Sequence, residues 1–540
     1  MKHFKKIMAL VIAMVMVLAM TIPAMAETVT NNTDHPYAAY QIFSGTQTET
    51  AGDTKLGDIE WGSGINGTAF LAALQADSRF NVGDPVANAF ADCETALAVA
   101  EVLGEYADNS DFAKAFANVA NANKTGSGIP LAADAATITL DPGYYLFVDT
   151  SDPLDDNDAY NSALLQITNK DGGLTIEKKY DVPSLDKDIT KVNETAVEVE
   201  AADVNIGDTV QYTLTGTLPA NYADYETYKY VFHDTISKGQ AIDFESFKVT
   251  LDTATGTDIT SLFTNSLTAD TDGSAETTFT LTCNDLKSNT NITKDNKIIV
   301  TYTATITADA EIGATGNSNT GSLEYSNNPN QTGSGTPTTS ETPEDENLVF
   351  TYDLNPTKID GDDTTTTLKD AQFVLKATSG DHNGKYAQID AETKKLTGWL
   401  DTKPTKLDTA PTTGNTGVLV SGADGQFEVY GLDAGTYELE EIKAPEGYNL
   451  LTAAVPLTIT ATVDDTEETG PSLESLTITV DGVTSEDLKA TGILPVTIEN
   501  NSGTELPSTG GIGTTIFYII GAILVIGAGV VLVTRRRMEA

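Results

Sequence analysis

Near its C-terminus the chain reads Leu506-Pro507-Ser508-Thr509-Gly510, followed by an apolar run from Thr514 to Val533 and then by Arg535-Arg536-Arg537. About 20 apolar residues suffice for a helix to cross a bilayer, and arginines directly after the run hold that end in the cytoplasm. A chain that ends this way is built to be attached to something, with the pentapeptide just outside a membrane. Other groups able to do chemistry are scattered. Of the histidines, His35, His233 and His382 fall in three different modules, and Cys93 and Cys283 in two. No His/Cys/Asp cluster or metal set is expected within one module. The acidic runs at Asp155-Asp156-Asn157-Asp158, Asp362-Asp363 and Asp464-Asp465 lack the spacing of a calcium loop and read as solvated. No glycine-rich phosphate loop occurs, so neither a metal nor a cofactor is expected.

The elements that must present these groups belong to an exported protein. Met1 to Lys6 is basic, Ile7 to Met20 apolar, and Ala24-Met25-Ala26 fits a signal-peptide cleavage site, so residues 1–26 read as a leader and Glu27 as the mature start. A formal charge of −47 excludes nucleic acid and anionic lipid as electrostatic partners and favours solubility. Two distant cysteines make no disulfide framework, although the compartment permits one.

Texture along the chain divides the rest. Residues 27–180 mix strands, at Tyr144 to Val148 and Leu164 to Ile167, with Ala-rich stretches at Gly67 to Gln75 and Asn88 to Val119. In the latter, Leu97, Val102, Leu103 and Tyr106, then Phe112, Phe116 and Val119, recur at helical spacing and should face the core. Residues 181–328 change to short alternating strands rich in Thr, Val and Tyr, as at Val210, Tyr212 and Leu214, which is the pattern of an antiparallel sandwich. Residues 329–347 read as a linker, 348–500 as a second sandwich and 501–540 as a tether with the terminal signal. The expectation is a mainly β chain: serial Ig-like β-sandwich domains in a rod, an α+β N-terminal domain and a C-terminal transmembrane helix.

The pentapeptide, membrane run and basic tail, in that order, resemble the cell-wall sorting signal of Gram-positive surface proteins. Tyr40-Gln41-Ile42-Phe43-Ser44-Gly45, Ile59-Glu60-Trp61-Gly62 and Gly143-Tyr144-Tyr145-Leu146 resemble the N-terminal domain of backbone pilins, and the similarity covers nearly the whole mature chain. It implies that a membrane sortase recognises Leu506, Pro507, Ser508, Thr509 and Gly510, cleaves after Thr509 and passes its carbonyl to an amine. It also implies internal isopeptide bonds, in which a buried Lys attacks an Asn amide with help from a neighbouring acid. Tyr437-Glu438-Leu439-Glu440-Glu441 with Ala444-Pro445-Glu446-Gly447-Tyr448 resembles collagen-adhesin B-type domains and assigns the acid to Glu441, the lysine to Lys358 and, on the last strand, the amide to Asn500. In the preceding module the match is looser: Lys187, Asp234 and, by strand parity, Asn327 rather than Asn328. Polymerisation requires an acceptor amine at the end of the first module; Leu174-Thr175-Ile176-Glu177-Lys178-Lys179-Tyr180 lacks the family's Tyr-Pro, and position favours Lys179 with Lys178 the alternative. The implied partners are identical subunits, sortase and peptidoglycan, with minor pilins and a host surface as further candidates. A monomeric wall-anchored adhesin is the rival reading, and the self-crosslinking reaction would not make the chain an enzyme.

Overall fold

A computed structural model describes residues 27–503 apart from 51–52, 109, 168–172, 332–335 and 465–469. The leader, Leu506 to Gly510 and the apolar C-terminal run lie outside these residues. Among the described residues no helix is long and apolar enough to cross a membrane.

The first unit holds β1 (Glu27–Asn31), β2 (Tyr37–Thr50), β3 (Asp53–Trp61), helices α1 (Gly67–Ala76), α2 (Ala96–Leu103) and α3 (Asp111–Ala122), then β4 (Ile129–Leu131), β5 (Ala136–Leu140), β6 (Gly143–Asp149), β7 (Leu164–Ile167) and β8 (Leu174–Ile176). The main sheet runs β3-β2-β6-β7 with β4 on β2, and a small one runs β8-β1-β5. Each helix starts at a capping side chain: Asn66, Thr95 and Ser110 accept from the backbone N–H of Ala69, Ala98 and Ala113, which satisfies donors that the first turn leaves open. The expected helix over Asn88 to Val119 is two helices. The Asn88 amide donates to the carbonyls of Leu74 and Asp77 and holds its segment outside any helix, and α2 ends at Gly104. Leu97 is exposed rather than core-facing, while Val99 on α2 is fully buried with Leu103, Phe112, Phe116 and Val119.

The second unit contains β9 (Leu185–Val192), β10 (Thr195–Val199), β11 (Ala201–Asp203), β12 (Thr209–Gly216), β13 (Tyr230–Ile236), β14 (Gln240–Leu251), β15 (Thr277–Cys283), β16 (Ile298–Ile306), β17 (Asn317–Ser326), β18 (Thr339–Glu341) and β19 (Asp345–Phe350). One sheet runs β10-β9-β12-β16-β14, and the facing sheet runs β11-β19-β17-β13-β15 with β18 on β17. Residues 329–347 are therefore not simply a linker. They contribute β18 and part of β19, which pairs antiparallel with β17 and parallel with β11.

After Phe350 a single residue, Thr351, separates β19 from the third unit. This comprises β20 (Tyr352–Asp360), β21 (Gln372–Ala377), β22 (Tyr386–Asp390), β23 (Leu396–Leu400), β24 (Val429–Leu432), β25 (Gly435–Lys443), β26 (Val455–Asp464), β27 (Ser472–Val480) and β28 (Ile493–Asn500). Its sheets run β24-β20-β28 and β23-β22-β21-β25-β26-β27. The second and third units share one contiguous apolar core, with Val349, Phe350, Tyr352 and Leu354 passing through the junction, while the first unit has separate cores. Ile206 N–H donates to the Gly431 carbonyl at 2.9 Å. A Cβ on Gly431, whose φ is +101°, would strike the Ile206 side chain.

Candidate functional site

In the second unit, alternation along β9 turns Lys187 and Ile189 inward while Asp186 stays exposed. Asp234 faces the same core from β13, on the parity of Phe232 and Ile236. Between them, β17 brings in Asn319. The Lys187 ammonium donates to Asp234 Oδ2 at 2.6 Å and to Asn319 Oδ1 at 2.7 Å. Asn319 Nδ2 donates to the Tyr302 hydroxyl at 2.7 Å, and that hydroxyl donates to Asp234 Oδ1 at 2.9 Å. The four side chains thus close a ring sealed from solvent. Gly321, opposite Asp234 in the sheet, leaves room for the lysine stem, since a Cβ there would lie 3.2 Å from Lys187 Cδ. Phe247 stacks on Tyr302 and Phe279 meets it edge-on.

Burial governs the electrostatics of this ring. It pushes the Lys187 amine down and the Asp234 carboxyl up, even though each opposes the other's shift. Low-dielectric surroundings penalise both charged forms. The pair is therefore driven toward a neutral amine beside a neutral acid, the states in which one can attack an amide and the other can move protons.

Asn327 is not at this site. It lies at the far end of β17, where its Nδ2 donates to Ser340 Oγ and its carbonyl accepts from Tyr160 N–H of the first unit. Strand parity is shared by Asn319, Leu323, Tyr325 and Asn327, so it could not choose between the two asparagines. β17 extends several residues further toward the N-terminus than its closing segment suggested, and Lys187 meets its beginning. Asn328 sits in the following turn, its side chain accepting from Asn330 N–H.

In the third unit β20 and β28 run parallel, with Lys358 in register with Ile498 and Asp360 with Asn500. β28 alternates strictly between exposed and buried, which turns Leu494, Val496, Ile498 and Asn500 inward. The Lys358 ammonium donates to the Ile498 carbonyl at 2.9 Å. Asn500 Nδ2 lies 3.1 Å from both carboxylate oxygens of Glu441 on β25, and donates to the Asn449 carbonyl at 2.8 Å. Asn500 Oδ1 has no partner. Burial brings the Lys358 amine down to about 8, and it raises the Glu441 carboxyl against the N–H of Leu451, the Asn500 amide and the charge of Lys358.

Lys178 and Lys179 are both exposed in the segment leaving β8. The Lys178 ammonium lies 3.9 Å from the centre of the Tyr180 ring and 4.0 Å from Asp34 Oδ2. Lys179 is fixed through its backbone, whose N–H donates to Asn161 Oδ1 at 2.8 Å. Among the described residues of the first unit no lysine is buried.

Comparison with known proteins places these geometries in context. Residues 353–470 match the family model described as SpaA, prealbumin-like fold domain, and residues 498–540 match the LPXTG cell wall anchor motif. The chain is 26% identical over 424 residues to the trypsin-resistant surface T6 protein of Streptococcus pyogenes serotype M6, covering 68% of this chain and 71% of that one. The solved T6 backbone pilin of serotype M6 Streptococcus pyogenes superposes with a TM-score of 0.51 at 18% identity, covering 89% of this chain and 98% of that one. The full-length major pilin SpaD of Corynebacterium diphtheriae gives 0.46 at 15% identity, with 90% and 99% covered. The first of these relatives is described as a surface protein and the two solved structures as a backbone pilin and a major pilin. The chain is a cell-wall-anchored surface protein with a SpaA-type prealbumin-like domain, a homologue of the streptococcal T6 surface protein built on the backbone-pilin fold.

Proposed function

We propose that this chain is the major structural subunit of a sortase-polymerised, peptidoglycan-anchored pilus, stabilised by two internal Lys–Asn isopeptide bonds. The observation that carries the reading is the sealed ring of Lys187, Asp234, Tyr302 and Asn319. A lysine, an acid and a carboxamide excluded from water together are costly to a fold that only needs a core. The same three groups are, however, the reactants of an amide exchange. The lone pair of Lys187 Nζ attacks Asn319 Cγ, the new C–N bond forms, and the Cγ–Nδ2 bond breaks. The proton lost by Nζ goes to Asp234 Oδ2, and Asp234 returns one from Oδ1 through the Tyr302 hydroxyl to Nδ2, which leaves as ammonia. In the third unit Lys358 attacks Asn500, and Glu441 shuttles the proton directly.

Between subunits, sortase joins the Thr509 carbonyl to an amine of the next copy. Lys179 is the proposed acceptor: its side chain is exposed while its backbone is anchored, whereas Lys178 is held against Tyr180 and Asp34. Two measurements test this reading. The intact mass of the mature chain should fall short of the sequence mass by two ammonia molecules. Detergent-boiled wall extracts should give a high-mass ladder that collapses in Lys179→Ala. A ladder that persists moves the acceptor to Lys178; a single band from both strains means a monomeric adhesin.

A further inference from the structure

The first unit carries a buried ionic cluster that the crosslinking chemistry does not use. His35, in the turn between β1 and β2, has Nδ1 at 2.6 Å from Asp149 Oδ2 and Nε2 at 2.9 Å from Asp158 Oδ2. Its ring lies under Tyr180, with centroids 4.6 Å apart and planes 20° from parallel. A neutral imidazole can donate from one nitrogen only. With a carboxylate against each nitrogen, the ring satisfies both only as an imidazolium.

Every group in this cluster leads to the segment that bears Lys178 and Lys179. Asp149 accepts from His35 and, through the same Oδ2, from Asn161 N–H at 2.9 Å. Asn161 Oδ1 in turn accepts from Lys179 N–H. Tyr180 stacks on the imidazole and directs its hydroxyl at Asp34, and Lys178 lies over the other ring of the pair, that of Tyr180. The Asn161 carbonyl accepts from Asn330 Nδ2 of the second unit at 2.7 Å. The titratable groups against His35 are Asp149, Asp158 and Tyr180, and Asp34 and Lys178 meet the far side of the cluster through Tyr180.

We infer that His35 is a positioning residue for intersubunit transfer: as an imidazolium wedged between Asp149 and Asp158 it clamps the Lys178–Tyr180 segment in the pose that sortase reads as the acceptor. This rests on the acceptor reading above. The lysine amine must reach a thioester buried in another protein, and a fixed backbone raises its effective concentration there. Burial alone would lower the His35 pKa, but Asp149 and Asp158 reverse the effect and the net shift is upward. The clamp is then complete at acidic pH and loses its second contact as the pH rises through that raised pKa.

The test uses the purified mature chain, residues 27–509, with purified sortase and a fluorescent peptide containing LPSTG. The acyl-enzyme partitions between water and the chain's amine, so the ratio of peptide attached to peptide hydrolysed isolates acceptor quality from donor cleavage. His35→Gln should keep the cleavage rate and lower this ratio at least fivefold at pH 6. The ratio of wild type to variant should shrink as the pH rises through the raised pKa of His35, where the wild-type imidazole itself loses its charge. Asp158→Asn, which preserves the shape and removes one carboxylate, should reproduce the loss if His35→Gln fails to fold. Wild type that attaches no peptide at Lys178 or Lys179 sinks the acceptor reading itself. Attachment to wild type and to both variants at equal ratios across the pH range overturns the clamp alone.

Discussion

Tyr302 shows what a single atom contributes to the ring in the second unit. Its hydroxyl links Asp234 Oδ1 to the Asn319 nitrogen that leaves in the proposed exchange. Tyr302→Phe should therefore slow ammonia loss without preventing it, because Lys187 and Asp234 stay in contact. Mass spectra taken through a refolding time course would show a transient uncrosslinked species absent from wild type. Asp234→Ala should act differently. It leaves the buried Lys187 amine without its acid partner, and it removes the proton shuttle. The expected result is a chain short of only one ammonia, with its second unit melting well below wild type; loss of two ammonia molecules would contradict the assigned role. The sequence disclosed Lys187 and Asp234 through a resemblance in motif, but not Asn319 or Tyr302. Inward parity was legible for both, since Asn319 shares it with Leu323 and Tyr302 with Val300. What parity cannot reveal is which inward position lies level with Lys187, because that depends on the stagger of the two facing sheets.

At the scale of elements, the junction between β19 and β20 behaves as one packed body rather than as a hinge. Ile206 fills the space over Gly431, so Gly431→Ala introduces both a clash and a strained backbone, at a cost of about 1–3 kcal/mol. Its melting transition should move down for the second and third units while the first is unchanged. The junction also titrates. Burial raises the Asp203 carboxyl to about 6 and the Asp433 carboxyl to about 7, with Tyr352 and Tyr437 hydroxyls against them. A carboxyl raised on folding stabilises at low pH, and that contribution disappears as the pH rises through the folded value. Asp208 opposes this: burial would raise it, but His382, Asn193 and the N–H of Asn205 hold it low. Asp433→Asn, which imitates the protonated form, should melt with wild type at pH 5 and above it at pH 8. Equal melting at both values would remove Asp433 from the pH response. The junction was hidden in the sequence for a plain reason. Gly, Ser, Thr, Pro and acidic residues between 328 and 347 look unfit for a core, and those in β18 and β19 pair through backbone groups that composition does not report. Leu97 misled in the opposite sense, since its helical spacing is real but it lies on the exposed side of α2.

For the molecule as a whole, the placement of Asn319 early in β17 has a mechanical consequence. With Lys187 bonded to Asn319, which stands 132 positions further along the chain, the segment between them is shielded from tension applied along the fibre. Residues 320 to 350 are not: by subtraction, 350 − 319, thirty-one residues stand between the crosslink and the entry to the third unit. The described residues among them are held by hydrogen bonds and packing. In the third unit Lys358 and Asn500 fall near the two ends, and no comparable stretch is left over. A subunit joined as proposed and pulled between Lys179 and Thr509 should therefore yield once, when β19 and β18 peel from β17, and lengthen by at most about 100 Å at 3.3–3.6 Å per residue. Single-molecule stretching would register this as one short step, replaced in Lys187→Ala by a far longer one as the whole sandwich unravels. A fibre of such subunits would carry a recoverable slack in every repeat, absorbing a sudden pull before any covalent bond bears the full load.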